Sequence, residues 1–257
     1  MKYHYTKQEL KKALLDLGVN RGDTLFCHSN IGFLGVPKGA ASKNDIMQLI
    51  VETIMEVLGP EGTFVVPTFT YSFGSNEYFD LHSTRSNCGA LSEYIRELEE
   101  SQRSNDPSVS IAAIGKHKNA LTQNLPENAY SEESAFAKLI KLESKILNIN
   151  FDAGSTLLHY IEKQFDVPYR YEKTFYGKKR VAGEYVSSKS ILYVRDLDIK
   201  GSEACFDIFN EYTTQHNLYK RAPVGRGSVG LITTSDMHSA FAFLYEKNKF
   251  FLTKKGK

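Results

Sequence analysis

Asp23-Thr24-Leu25-Phe26-Cys27-His28 runs without a break into Ser29-Asn30-Ile31-Gly32-Phe33-Leu34-Gly35-Val36-Pro37-Lys38-Gly39. The first six residues read as a short buried strand and the next eleven as a glycine-rich loop. Ser42 then caps a helix whose apolar face is Ile46, Leu49, Ile50, Ile54 and Met55, closed by Leu58-Gly59-Pro60. Gly62-Thr63-Phe64-Val65-Val66-Pro67 is the next strand, parallel to the first if the helix is a crossover. Strand, loop, helix and parallel strand predict an α/β fold built on a central, mostly parallel sheet flanked by helices. A glycine loop between strand and helix presents backbone N-H groups and a helix dipole to an anion. Tight turning alone is the other reading of these glycines, and no G-x-x-x-x-G-K-[ST] aligns here.

The end of the second strand carries Thr68-Phe69-Thr70-Tyr71, at the carboxyl edge where open α/β sheets bind ligands. Arg103-Ser104-Asn105-Asp106-Pro107-Ser108 then feeds a short apolar strand through Ile111-Ala112-Ala113-Ile114-Gly115, with Ser110 at its entrance. Lys145-Ile146-Leu147-Asn148-Ile149-Asn150 is a further strand, delivering Phe151-Asp152-Ala153-Gly154 to a helix. Ser155 or Thr156 is its N-cap, which puts His159 and Glu162 on one helical face. An imidazole with a carboxylate at this spacing is a general base with its orienter. An amphipathic helix with a solvated Glu162 is the plainer reading of so short a pattern.

Outward from these segments, Thr6-Lys7-Gln8-Glu9 is a capping box ahead of Leu10, Leu14 and Leu17. Helices are expected from Asn87-Cys88-Gly89, over Ser134 to Leu142 and over Asp236 to Leu244. From about residue 170 the pattern changes. Arg180 to Val186 and Ser190 to Arg195 read as paired strands with a turn between, adding an antiparallel section to the sheet. Gly225-Arg226-Gly227-Ser228-Val229-Gly230 matches G-x-G-x-x-G, but Ala222-Pro223 precedes it and a β-like Val229-Gly230-Leu231-Ile232-Thr233 follows, so it is not a dinucleotide fingerprint.

With 257 residues, 41% hydrophobic and 24% charged, the chain is expected to form a single domain, residues 1–257, with a subdomain change near 170. A net charge of +2 with dispersed Lys and Arg argues against nucleic acid. Three distant cysteines and no H-x-x-x-H or H-x-H pair argue against a disulfide framework or a metal site. No apolar signal region or run of about 18 apolar residues is present, which predicts a cytoplasmic protein with no membrane partner. A homodimer is left open.

Taken in order, Gly22-Asp23-Thr24-Leu25 to His28-Ser29, Gly59-Pro60-Glu61-Gly62-Thr63 with Pro67-Thr68-Phe69-Thr70, Phe79-Asp80, Arg103-Ser104 with Pro107 and Ser110 to Gly115, Thr156-Leu157-Leu158-His159-Tyr160-Ile161-Glu162, and Gly227-Ser228-Val229-Gly230 resemble the aminoglycoside 3-N-acetyltransferase family, distinct from the GNAT fold. The resemblance spans nearly the whole chain. It implies direct acyl transfer from acetyl-CoA to an amine without a covalent enzyme intermediate, His159 being the base and Glu162 its orienter. It also implies coenzyme A contacts from His28, Ser29, Asn30, Ile31, Gly32, Phe33, Gly35, Val36 and Ser110, and acceptor contacts from Thr68, Phe69, Tyr71, Asp80 and Asp106.

Two departures bear on the acceptor. Asp106-Pro107 stands where resistance enzymes commonly have His-Pro, and the segment between Phe69 and Phe79 is short, with Glu77 its only acid. Aminoglycosides are polycations and call for an acidic site. The expected acceptor is therefore an amino sugar, nucleotide-linked, with an aminoglycoside as the alternative and a non-catalytic coenzyme A or nucleotide-binding module as a third reading.

Overall fold

The computed structural model describes residues 3–257. Helix α1 (Lys7–Leu17) starts at the Thr6/Glu9 capping box and stops at Gly18 in the left-handed region. Strand β1 (Thr24–Ser29) leads through a 3-10 turn at Ile31–Leu34 into α2 (Lys43–Leu58), and β2 (Thr63–Pro67) follows. Then come α3 (Ala90–Glu97), the two-residue β3 (Gln102–Arg103), β4 (Ile111–Gly115), α4 (Lys118–Thr122) and α5 (Ala135–Lys141). Strand β5 (Lys145–Ile149) delivers α6 (Leu158–Gln164). The long β6 (Arg170–Val181) and β7 (Glu184–Arg195) precede α7 (Asp207–Gln215), β8 (Lys220–Val224), β9 (Gly227–Thr233) and α8 (Thr234–Lys247).

The main sheet has the order β3-β4-β2-β1-β5-β9-β8. Its core, β2-β1-β5, is parallel. Antiparallel strands extend it on both sides, β4 and β3 beyond β2, and β9 and β8 beyond β5. Alternating side chains of each strand feed two apolar layers. Leu25 and Cys27 of β1 and Phe64 and Val66 of β2 face α1, α2 and α3. Phe26, Val65 and Ile146 face the other layer, with α4 to α8. The apolar helix stripes thus close both faces of the parallel core, which leaves its carboxyl edge as the open side.

Three local expectations are corrected. The β6-β7 turn is Ala182-Gly183, at φ 49° and 91°, rather than the Ser187–Lys189 region, and the two strands form a separate two-stranded sheet. Much of this hairpin is solvent-exposed, so its sequence carries no clean inside-outside alternation. The helix bearing His159 is entered through a tighter turn: Leu158, His159 and Tyr160 donate to carbonyls three residues back, and Ser155 Oγ accepts from Leu157 N-H. The N-terminus of α2 is filled from within, since Asp45 accepts from Ala41 and Ser42 N-H and Ser42 Oγ accepts from Asp45 N-H. A carboxylate of the chain itself thus already sits at that helix end, where an anion would bind. Gly225-Arg226 is a two-residue hairpin turn between β8 and β9, as the rejection of a dinucleotide fingerprint requires.

Candidate active site

The carboxyl ends of β1, β2 and β5 open onto a cavity of about 930 Å³. Its wall includes His28 and Ser29 from β1, Pro67, Phe69 and Tyr71 from the end of β2, and Phe151, Asp152 and Gly154 to Thr156 with His159 after β5. Arg170 and Leu192 to Arg195 of the hairpin form another side, and Cys205, Phe206 and Asp207 the mouth beside α7.

The buried Asn148 and the half-buried Asn150 shape the approach to α6. Asn148 lies in the apolar run of β5 with no exposed surface, and its amide donates to the carbonyls of Asp152 and Gly154. Asn150, at φ 57°, donates to Asn30 O and accepts from Ser228 N-H, tying β1, β5 and β9 together. Tyr219 donates to Phe151 O at 2.7 Å. Gly227 and Gly230 are needed for these contacts: a Cβ would sit 2.0 Å from Asn150 Oδ1 or from the Tyr219 hydroxyl. The signal available in the sequence was an asparagine within a β-branched, apolar strand, since buried polar groups there are rarely idle.

Leu158 and Ile161 anchor α6 in the core while His159 keeps a quarter of its side chain, 25%, open towards the cavity. Glu162 has no exposed surface, and its Oε2 lies 2.7 Å from His159 Nδ1. Two guanidiniums approach that carboxylate, Arg170 Nε at 2.8 Å from Oε2 and Arg195 Nη2 at 3.7 Å from Oε1. Burial opposes ionisation of Glu162, but the His159 hydrogen bond and the charges of His159, Arg170 and Arg195 outweigh it and bring the carboxyl down to about 2. Burial and the Arg170 charge push the His159 imidazole down and Glu162 pulls it back up, leaving it lower than an ordinary histidine. The result at neutral pH is a neutral imidazole held by an ionised carboxylate, able to take a proton from an amine.

His28 stands nearby with its Nε2 2.7 Å from Ser155 Oγ, and burial followed by the charge of His159 lowers it to about 4. Phe69 and Tyr71 stack edge to face at 6.0 Å, and the Tyr130 ring meets His159 the same way at 6.0 Å.

Several expected contacts lie elsewhere. Thr68 and Ser110 are fully buried, their hydroxyls 3.0 Å apart with Arg103 Nε 3.2 Å from each. They brace the floor of the site and do not line the cavity. Asp80 caps its own turn through His82 and Ser83 N-H and meets Arg180. Asp106 accepts from Ser108 and Val109 N-H and borders a separate small cavity with Lys179 and Lys189. A carboxylate that closes a local turn is turned towards its own backbone, which is why neither reaches the cavity. In the glycine loop, His28 and Ser29 are on the cavity wall, while Asn30, Ile31, Gly32, Phe33, Gly35 and Val36 lead outward from it. Val36 N-H is taken by His4 Nδ1 and Gly35 N-H by Gly32 O. Among the described residues, Ile31 and Gly32 N-H have no protein partner, and the Arg226 side chain lies against Gly35. Arg226 escaped the sequence reading because a hairpin turn distant in the chain brings it there.

A family profile described as aminoglycoside 3-N-acetyltransferase matches residues 26–245. The chain belongs to the aminoglycoside 3-N-acetyltransferase family. It is an acyl-CoA-dependent N-acetyltransferase. The acetyltransferase is 26% identical to the SPbeta prophage-derived aminoglycoside N(3')-acetyltransferase-like protein YokD of Bacillus subtilis (strain 168), covering 90% of this chain and 89% of the relative. It is 26% identical to aminoglycoside N(3)-acetyltransferase IV of a Salmonella species, covering 92% and 86%. Among solved structures it shares its fold with AAC-IIIb in a binary complex with CoASH, at a TM-score of 0.81, 20% identity and coverage of 94% and 97%. A mutant of AAC(3)-IVa in complex with a gentamicin matches at a TM-score of 0.79, 24% identity and coverage of 98% and 92%. These relatives favour the aminoglycoside over the nucleotide-linked amino sugar expected from charge. Among the described residues no group of three or more His, Cys, Asp or Glu converges as metal ligands, and no helix is long and apolar enough to cross a membrane.

Proposed function

We propose that this acetyltransferase transfers the acetyl group of acetyl-CoA to the 3-amino group of an aminoglycoside. The observation that carries the reading is the His159 imidazole at the wall of an open cavity, its Nδ1 2.7 Å from the buried Glu162 carboxylate, in a chain of this family. His159 Nε2 takes a proton from the acceptor ammonium or amine, and Glu162 stabilises the imidazolium that forms. The amine nitrogen bonds to the acetyl carbon as the carbon-sulfur bond breaks, and the proton ends on the departing thiolate or in solvent.

For the donor, Ile31 and Gly32 N-H with the Arg226 guanidinium supply the positive potential a pyrophosphate needs, and Ser29 leads from them to the cavity. A fold relative in complex with CoASH supports coenzyme A as the donor's carrier. For the acceptor, Phe69, Tyr71 and Tyr130 offer ring faces and Asp152 and Asp207 offer carboxylates at the mouth. An intracellular thioester donor fits a cytoplasmic enzyme working as one acyltransferase domain.

One observation favours a second acceptor class. Asp152 pairs with Arg221 and Asp207 with Lys257 at 2.6 Å, so the mouth carries little uncompensated negative charge for a polycation. A nucleotide-linked amino sugar is the acceptor of that reading. Thiol release from acetyl-CoA, measured in parallel with gentamicin, apramycin and a dTDP-linked amino sugar, separates them. Turnover on the aminoglycosides, lost in His159→Ala, is expected; turnover confined to the nucleotide sugar replaces the acceptor, and coenzyme binding with no turnover on any amine overturns catalysis.

A further inference from the structure

Arg170 opens β6 directly beneath His159, with only 5% of its side chain exposed. Its Nη2 lies 2.9 Å from His159 Nδ1, its Nε 2.8 Å from Glu162 Oε2, and its Nη1 donates to Tyr193 O at 2.7 Å. The same Nδ1 is 2.7 Å from Glu162 Oε2. One ring nitrogen therefore faces both an acceptor and a donor, and it can satisfy only one of them at a time. With a proton on Nδ1 it donates to Glu162 and Nε2 offers a lone pair to the acceptor amine. Without that proton Nδ1 accepts from Arg170, Nε2 carries the hydrogen, and the ring is no base towards the cavity.

We propose that Arg170 is a positioning residue for acetyl transfer, competing with Glu162 for Nδ1 and so setting which nitrogen of His159 holds the proton. The proposal rests on His159 being the base. The surroundings leave room for the exchange: Glu162 Oε1 and the Tyr169 hydroxyl are buried without a hydrogen-bond partner, and so is Arg170 Nε, whose close approach to Oε2 is out of line for a hydrogen bond. Glu162 Oε1 accepts no hydrogen bond and has Arg195 Nη2 at 3.7 Å, while Arg170 Nε lies beside Oε2, so the exchange at Nδ1 does not require loss of the buried ion pair. The other groups facing His159 are Arg195 of β7, His28 of β1 and the edge-on ring of Tyr130. None of these three hydrogen-bonds to Nδ1. Arg170 also contributes charge: burial and Arg170 together hold the imidazole low against the pull of Glu162.

Nitrogen-15 histidine NMR of the full chain, titrated without substrate, reads the state of His159 directly, and pH profiles of kcat/KM read its consequence. In the wild type, neutral His159 is expected as a mixture of both tautomers. In Arg170→Gln it is expected to collapse to the Nδ1-H tautomer, with its pKa raised by about one unit, the effect of removing a like charge at contact distance. Because the base must be neutral, the acid limb of kcat/KM then moves upward by the same amount. Arg170→Lys, which keeps the charge, restores part of the low pKa. A wild-type spectrum showing the Nδ1-H tautomer alone overturns the competition, and this holds even if Arg170→Gln does not fold. An unmoved His159 titration, or an activity loss equal at every pH, overturns it as well. Full activity of His159→Ala would instead remove the base, a failure the NMR result does not share.

Discussion

Glu162 Oε2 and His159 Nδ1 are 2.7 Å apart on one face of α6, the carboxylate wholly buried and the imidazole open to the cavity. In the proposed mechanism the buried partner orients and the open partner reacts, a division set by which side of a two-turn helix meets the core. His159→Ala is expected to lower kcat/KM by roughly 10²-fold or more, the loss of a general base, with acetyl-CoA affinity unchanged. Steady-state kinetics with coenzyme binding by calorimetry checks it. Glu162→Gln leaves Arg170 and Arg195 facing a neutral amide in a buried site, and should also destabilise the fold by about 3–5 kcal/mol in denaturant unfolding.

The neutral His28, half-buried at the end of β1, gives a pH-dependent stability. Its pKa is lowered from 6.5 to about 4 by burial and by His159, so the unfolded chain binds more protons between those values. Its contribution is complete above pH 6.5 and is lost as pH falls towards 4, on the order of 3 kcal/mol in all. The depressed Glu162 acts in the same direction further down, its contribution lost from 4.5 towards 2. His28→Gln keeps a partner for Ser155 and removes the titration, so the fall in Tm between neutral pH and about pH 4.5 should be smaller than in the wild type.

Gly230→Ala places a methyl group 2.0 Å from the Tyr219 hydroxyl. That hydroxyl holds Phe151 O, on the loop that forms one wall of the cavity. Overpacking of this kind costs about 1–3 kcal/mol, and the displaced loop should raise the KM for substrate as well as lower Tm. A normal KM in a destabilised variant would uncouple Tyr219 from the wall.

Ser110→Ala separates bracing from binding. The Ser110 hydroxyl donates to Thr68 O at 2.7 Å and lies 3.2 Å from Arg103 Nε, with no exposed surface. The variant should lose about 1–3 kcal/mol of stability while the KM for acetyl-CoA stays at the wild-type value. A KM increase without a stability loss would restore the direct coenzyme contact expected from the sequence.

The parallel core, the glycine loop after β1 and the pairing of His159 with Glu162 were legible because each depends on neighbours close in sequence. Apolar runs, caps and a spacing of three residues on a helix are local quantities. The hairpin was harder: exposed on much of both strands, β6 and β7 lack an inside-outside rhythm, so nothing in the pattern marks the turn at Ala182-Gly183. Asp80 and Asp106 show the opposite error. Acidic residues beside strand ends looked like acceptor ligands, but Oδ1 of each accepts from N-H groups two or three residues away, and neither residue lines the cavity.

By itself the sequence determined the parallel core of the sheet, the side of α6 that bears His159, and the family. Only the tertiary structure decided what surrounds that histidine. Arg170, Arg195 and His28 come to His159 from other strands, and Asn150 reaches Asn30 from 120 residues away. Charge and hydrogen bonding act through space at a few ångströms, whereas sequence patterns report only what recurs along the chain, so the protonation state of the site belonged to the fold.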